Sequence, residues 1–321
     1  MRPHHSSKPF SCVVCSHDKV GETITRIVKG DDSGALSVVT CEGCGHVQMH
    51  PPDYDLGFYE KDGQVNNVLR HYGTPMEKLL DHSWTEARRR FERFAHRGIS
   101  ILPVDADRPL RILDVGGGYG FFGSELKSRM PSCEVTVLEP SASRSGAGKQ
   151  WLEEGGHALP RFINGLLDEA FVRTHRGQYD LVTMWHVLEH VTDPVALMRD
   201  CTALLAPGGL LCIEVPNLDD ELAPLSPAFR ARTFMVEHIS YFSPHLLKVV
   251  AGRAAPGAKV SVLGYQRYGI FNYIHWIRNN APQGADPDLF NGTDRMWIEA
   301  TWRHAREATL TSDALFMTVR V

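Results

Sequence analysis

Short apolar runs recur through the middle of the chain at 110–115, 133–139, 158–163, 179–185 and 209–215, with longer mixed segments between them. Runs of this length, closed off by polar and turn residues, suit strands buried on both faces, and the intervening segments suit helices. That alternation predicts an α/β protein with a doubly wound parallel sheet. Asp193-Pro194 opens one of the helices, and Ala206-Pro207-Gly208-Gly209 ends it. Further strands are expected over Lys259 to Tyr265 and Ala314 to Arg320, with a helix from Trp297 to Glu307 and a loop from Asn279 to Thr293.

The pattern differs upstream. Thr74-Pro75-Met76-Glu77 reads as a helix start, with Thr as cap and Pro at the first position, continuing through Trp84, Phe91 and Phe94 to about His96. Arg88, Arg89 and Arg90 read as its solvated face. Glu22 to Val28 alternates polar and apolar residues, as a β-ribbon does. Residues 1–9 are expected to be disordered. The chain thus divides into an N-terminal module over 1–52, an arm over 53–100 and a core over 101–321. Within the arm, Tyr54, Phe58, Tyr59, His71 and Tyr72 suit either a linker with packed aromatics or a lid.

Composition narrows the function. A chain of 321 residues, 43% hydrophobic and 22% charged, can bury a sizeable core. A formal charge of −4 argues against a sequence-independent grip on nucleic acid. No apolar stretch is long enough to span a membrane, and the first residues lack an apolar segment of the signal-peptide kind, so the expected compartment is the cytoplasm. Of seven cysteines, Cys133, Cys201 and Cys212 are scattered and suit buried positions. Cys12, Cys15, Cys41 and Cys44 form two C-x-x-C pairs that supply four thiolates for a tetrahedral zinc ion. Four thiolates fill the coordination shell, so such a zinc is structural, and a module of this size would depend on it.

The chemistry centres on Asp114-Val115-Gly116-Gly117-Gly118-Tyr119-Gly120, between a strand and a helix. Small residues there let backbone approach a ligand closely. About 20 residues further on, Glu139 closes the next strand, where nucleotide-binding folds keep the carboxylate for ribose hydroxyls. The D-x-G-x-G-x-G spacing departs from the G-x-G-x-x-G of pyrophosphate binders. In this it resembles class I methyltransferases that use S-adenosylmethionine, which has no phosphate. The Leu205-Ala206-Pro207-Gly208-Gly209 loop and Met184-Trp185-His186-Val187-Leu188-Glu189-His190 after the fourth strand are similar to that family too. The resemblance implies a Rossmann-like, seven-stranded sheet whose last strand is antiparallel. It also implies cofactor-binding residues: Gly116, Gly117, Gly118 and Gly120 beneath the methionine part, Glu139 on the ribose, Asp114 on the loop or amino group, and Trp185 and His186 flanking the methionine or the donated methyl. His186 and His190 remain open to a second reading as capping residues.

After the fifth strand comes Glu237-His238-Ile239-Ser240-Tyr241-Phe242-Ser243. A carboxylate beside an imidazole makes a workable general base, and the competing reading is a loop cap with packed aromatics. Joined to a cysteine-rich module, this stretch resembles the C-methyltransferases of nucleotide-linked deoxysugars. The resemblance implies Glu237, His238 and Tyr241 as catalytic residues that help remove a proton next to a sugar ketone. Met235 stands where that family has a tyrosine, and no counterpart of the family's further C-terminal domain is expected in this sequence. The expectation is methyl transfer to a small molecule, with carbon favoured and oxygen or nitrogen as alternatives. A nicotinamide enzyme is disfavoured by the glycine spacing. A zinc-ribbon module that binds nucleic acid or protein, with an inactive core, is disfavoured by Lys19, Arg26 and Lys29 facing five acids over Phe10 to Pro52. Substrate identity and oligomeric state are not fixed by these patterns.

Overall fold

A computed structural model describes residues 9–28, 35–51, 75–97, 108–235, 237–282 and 293–321. The possible lid at 53–73, and residues 1–8 with the expected disorder, lie outside the described residues. Two sheets organise the rest. The larger has seven strands, β4 (Arg111–Val115), β5 (Glu134–Glu139), β6 (Arg161–Asn164), β7 (Tyr179–Trp185), β8 (Leu205–Pro216), β10 (Lys259–Tyr265) and β11 (Ala314–Arg320), in the order β10-β11-β8-β7-β4-β5-β6. The neighbours β7–β8, β4–β7, β4–β5 and β5–β6 pair in parallel, whereas β11 runs antiparallel to both β8 and β10. This is the Rossmann-like α/β sheet expected from the alternation, with the reversed last strand.

The central strands are largely buried because helices cover both faces. Every residue of β7 is buried. Along β4, Leu113 and Val115 face one core with α5 (Pro194–Ala203) and α7 (Pro244–Ala254), while Ile112 faces the other. That second core packs α1 (Met76–Arg97), α2 (Phe121–Arg129) and α3 (Ala142–Glu154). Cys133, Cys201 and Cys212 are all buried, as their scatter suggested. Side chains start the helices where the sequence offers caps: Asp193 accepts from the Ala196 N–H at 2.8 Å, and Ser243 from Leu246 at 3.2 Å with Pro244 behind it. Each such cap contributes about 1 kcal/mol.

The smaller sheet joins β1 (Val20–Val28), β2 (Ala35–Cys41), β3 (Val47–His50) and β9 (Ser240–Tyr241), all antiparallel. Three of these strands come from the cysteine module and the fourth from the stretch after β8. Phe10, Cys12, Val14, Val39 and Cys41 belong to the same apolar cluster as Leu247 and Val250 of α7. Packing therefore runs across the sequence boundary at residue 52. The remaining elements are α4 (Glu169–His175), α6 (Pro227–Thr233), α8 (Ile270–Asn279) and α9 (Thr293–Ala308). The helix α8 occupies ground where the sequence showed no helix signal, and the expected loop at 279–293 falls largely outside the described residues. No helix among the described residues is long and apolar enough to cross a membrane.

Candidate active site

The strand ends carry a cavity of about 360 Å³, lined by Val115, Gly116, Glu139, Pro140, Leu166 and His186 among others. Gly116 brings the start of the glycine loop to its wall. Gly116 has φ +66°, and a Cβ on it would lie 2.7 Å from Val187; a Cβ on Gly117 would lie 2.6 Å from the Asp114 carboxylate. Any other residue at either position would force the loop apart. Gly118 and Gly120 complete the turn into α2. Glu139 is buried at the end of β5, one oxygen accepting from the Gly118 N–H at 2.9 Å and the other from Ser141 at 3.0 Å. A carboxylate has about four acceptor positions, so each oxygen retains capacity for a hydroxyl donor. The loop, the acid and the cavity thus fit an adenosyl cofactor.

Asp114 supports the loop from below. It is fully buried, and its Oδ1 accepts from the Thr183 hydroxyl at 2.7 Å. Burial pushes its carboxyl up to about 7, against the pull of Thr183. The Trp185 indole is near enough to favour the charged form, though neither its N–H nor Asp114 Oδ2 completes a hydrogen bond among the described residues. Trp185 itself lies in an aromatic cluster, with Phe122 at 4.7 Å, Phe316 at 6.1 Å and the Arg90 guanidinium 5.4 Å from its ring. Its indole therefore backs the site through the Asp114 contact.

A second, larger cavity of about 1150 Å³ opens beside the first. It is assembled from distant segments, including Arg93 on α1, Asn217 after β8, His238, Arg267 and Trp276. His186 and His190 line both cavities. His186 adopts φ +55° at the end of β7. Its Nδ1 lies 3.1 Å from Glu189 Oε1, and its Nε2 lies 2.9 Å from both Glu214 Oε1 and Arg267 Nη1. Burial alone would lower its pKa, and Arg267 acts in the same sense, but the two carboxylates outweigh them and hold it above its ordinary value. Glu189 is correspondingly held down to about 2 despite its burial. Arg267 is fixed in turn by Asp313 at 3.1 Å.

The stretch after β8 curls over this cluster. Burial and the neighbouring His190 push His238 down to about 3, so it is neutral near pH 7. The carboxylate that counters this shift is Glu189 rather than the adjacent Glu237. Glu237 instead offers its backbone carbonyl to His190 Nδ1 at 2.7 Å, and its charge bears on Tyr241. Tyr241 is buried in β9 opposite Val47, its hydroxyl donating to the Met235 carbonyl at 3.3 Å, and burial raises its pKa. Glu189, Glu214, Arg267 and Asp313 were not singled out by the sequence. An acid inside the apolar run Leu210 to Val215 was the one available signal for Glu214; Asp313 and Arg267 gave none.

In the N-terminal module, Cys12 and Cys44 bring their sulfurs to 3.6 Å, and Cys15 and Cys41 to 3.5 Å, all four lying within 4.8 Å of one another. Tetrahedral zinc–thiolate geometry requires sulfurs about 3.8 Å apart, and a disulfide about 2.05 Å. The cluster fits zinc.

The strand order, the glycine loop after the first parallel strand and the acid closing the second define a class I S-adenosylmethionine-dependent methyltransferase domain. Residues 85–254, more than half of the chain, match the sequence model of the family described as "Methyltransferase domain", and the chain belongs to that family. It is similar to the ubiquinone biosynthesis O-methyltransferase of Psychrobacter cryohalolentis, 33% identical over 107 residues that cover 33% of this chain and 41% of that protein. The protein of the same name from a Bradyrhizobium species is 34% identical over 147 residues, covering 44% and 53%. The chain spans about half or less of the length of these relatives. A crystal structure of a methyltransferase from Archaeoglobus fulgidus is 14% identical, with a TM-score of 0.46, covering 80% of this chain and 99% of that one.

Proposed function

We propose that this protein transfers a methyl group from S-adenosylmethionine to a small molecule held in the larger cavity. The observation that carries this reading is the shared wall: His186 and His190 border both the cofactor-sized cavity and the larger one. A donor in the first and an acceptor in the second would meet there. When bound, S-adenosylmethionine supplies an electrophilic methyl on a sulfonium. The chain's own part is alignment, exclusion of water and removal of a proton from the acceptor. Gly116, Gly117, Gly118 and Gly120 would underlie the cofactor and Glu139 would take its ribose hydroxyls. Asp114 would hold the loop, with Trp185 behind it, and His186 would border the methyl.

His238 is the candidate proton acceptor. It is neutral near pH 7, and it lines the larger cavity. Glu237 and Tyr241 shape the loop that presents it. The acceptor favoured by the resemblance is a carbon next to a ketone in a sugar or natural-product intermediate. An oxygen acceptor is the second reading, favoured by relatives named as O-methyltransferases. The zinc held by Cys12, Cys15, Cys41 and Cys44 would be structural, and thiolate ligands suit the reducing cytoplasm. Calorimetry with S-adenosylhomocysteine tests the central claim: micromolar binding is expected, and no binding at millimolar ligand would overturn it.

A further inference from the structure

The larger cavity carries a cation that the methyl-transfer reading leaves unused. Five arginines line it: Arg89, Arg93, Arg232, Arg267 and Arg303. Three of them have a carboxylate each. Arg89 meets Glu86 at 2.8 Å, Arg267 meets Asp313 at 3.1 Å and Arg303 meets Glu299 at 2.6 Å. Arg93, on the α1 wall, is different: its Nε and Nη2 are buried with no hydrogen-bond partner among the described residues. We infer that Arg93 selects the acceptor by binding a two-oxygen, singly charged anionic group on it, a carboxylate or a phosphodiester. The atom to be methylated then lies at the wall shared with the donor. The inference rests on the methyl-transfer reading for its role and on the unpaired guanidinium for its existence.

The two orphaned nitrogens lie on one edge of the planar guanidinium. Parallel N–H groups on such an edge match the two oxygens of a carboxylate or phosphodiester. The group stays charged near pH 7, because burial lowers its pKa only to about 10. A buried charged donor without an acceptor costs more than a neutral one, and an anion would relieve it. The protein does not supply that anion. The carboxylate that most favours the charge on Arg93 is Glu214, which is already held by His186 at 2.9 Å and faces Arg90 at 3.9 Å. Finally, the Arg93 guanidinium carbon lies 4.1 Å from the centre of the Tyr265 ring, which also lines the cavity. Stacking of this kind fixes the plane and leaves the in-plane N–H groups to a ligand. The orphaned edge is shielded in this structure, so binding includes a small turn of the side chain over the ring, which brings it to the lumen.

Arg93 thus determines specificity and His238 keeps its role as proton acceptor. One holds the anionic part of the molecule, and the other acts at the atom that receives the methyl. A neutral analogue of the acceptor would leave the guanidinium as unpaired as before, so the site discriminates by charge as well as by shape.

The test titrates the full chain, with and without S-adenosylhomocysteine, with benzoate, dimethyl phosphate and the neutral ester methyl benzoate, followed by calorimetry. One of the two anions is expected to bind about 10-fold or more tighter than the ester. Preference for benzoate identifies a carboxylate acceptor, and preference for dimethyl phosphate a phosphodiester one. Arg93→Gln should abolish the preference and Arg93→Lys should keep part of it, as a point charge without the two-pronged edge. Both variants should bind S-adenosylhomocysteine as the wild type does. That binding also reads the methyltransferase proposal separately, since its failure in the wild type would strike that proposal and not the anion preference. Should the variants fold poorly, phenylglyoxal modification of the wild-type chain, mapped by mass spectrometry, serves instead: protection of Arg93 by the anion but not by the ester supports the site. An ester that binds as tightly as both anions, a preference that survives in Arg93→Gln, loss of S-adenosylhomocysteine affinity in that variant alone, or equal modification of Arg93 with and without the anion would overturn it.

Discussion

The two cavities that share His186 and His190 are built in opposite ways. The smaller one is lined from within one part of the chain, Val115 to Asp200, with Gly116 after the first parallel strand and Glu139 at the next strand end. Its chemistry is backbone approach and one carboxylate whose oxygens are aimed by two N–H groups. The larger one draws Arg93, His186, Asn217, His238, Arg267 and Trp276 from segments spread over most of the chain. Its chemistry is a buried charge network in which His186 lies between Glu189, Glu214 and Arg267. A cofactor of fixed structure can be held by a local motif, whereas an acceptor site is assembled by the tertiary fold.

That difference can be broken most severely on the acceptor side. His238→Ala is expected to lower kcat by about 10²- to 10⁴-fold while changing S-adenosylhomocysteine affinity by less than about twofold, read by turnover and calorimetry on one preparation. Retained activity would remove His238 from the reaction. The mirror experiment is Glu139→Ala, expected to weaken cofactor binding by about 10- to 100-fold through loss of charged hydrogen bonds. If its effect falls on kcat alone, the ribose assignment is wrong.

On the proposed zinc at Cys12, Cys15, Cys41 and Cys44, a chelator is expected to lower Tm by about 5 °C or more, because the module shares an apolar cluster with α7. The smallest effect concerns pH. Glu189 is held from its ordinary 4.5 down to about 2, so its stabilising contribution is full above pH 4.5 and fades as pH falls toward 2. His186 is held above its ordinary 6.5, so its contribution is full below pH 6.5 and fades as pH rises through its elevated folded value. The Tm difference between wild type and Glu189→Gln should therefore be greatest between pH 4.5 and 6.5, and a flat difference would dissolve the cluster as described.

Much of the sheet was legible because buried parallel strands are continuous apolar runs. Tyr179–Trp185, Lys259–Tyr265 and Ala314–Arg320 fall where the pattern put them. The Asp193-Pro194 start was readable because capping is local chemistry. Other features were not. β9 is two residues long, and its strand character comes from pairing with Val47 and Gln48 rather than from its own pattern. Nor did the sequence associate Glu189 with His238, since only the fold brings residues 49 positions apart together; the adjacent Glu237 was the nearer guess. Arg267 and Asp313 lie 46 positions apart and form an ion pair that no spacing rule anticipates.

Strand β3 follows directly from the second cysteine knuckle and, beside its pairing with β9, reaches the stretch that carries His238 through Ile239. Ile239 gives its carbonyl to the Met49 N–H at 2.8 Å and its own N–H to the Glu189 carbonyl at 2.8 Å, next to His238. On the proposed assignments, loss of a zinc from the four cysteines, by chelation or by oxidants, would thus slacken the backbone carrying the His238 imidazole while leaving the glycine turn and its acid untouched. The enzyme would go on gripping its methyl donor yet cease to spend it, a failure visible as intact cofactor affinity in an inactive protein.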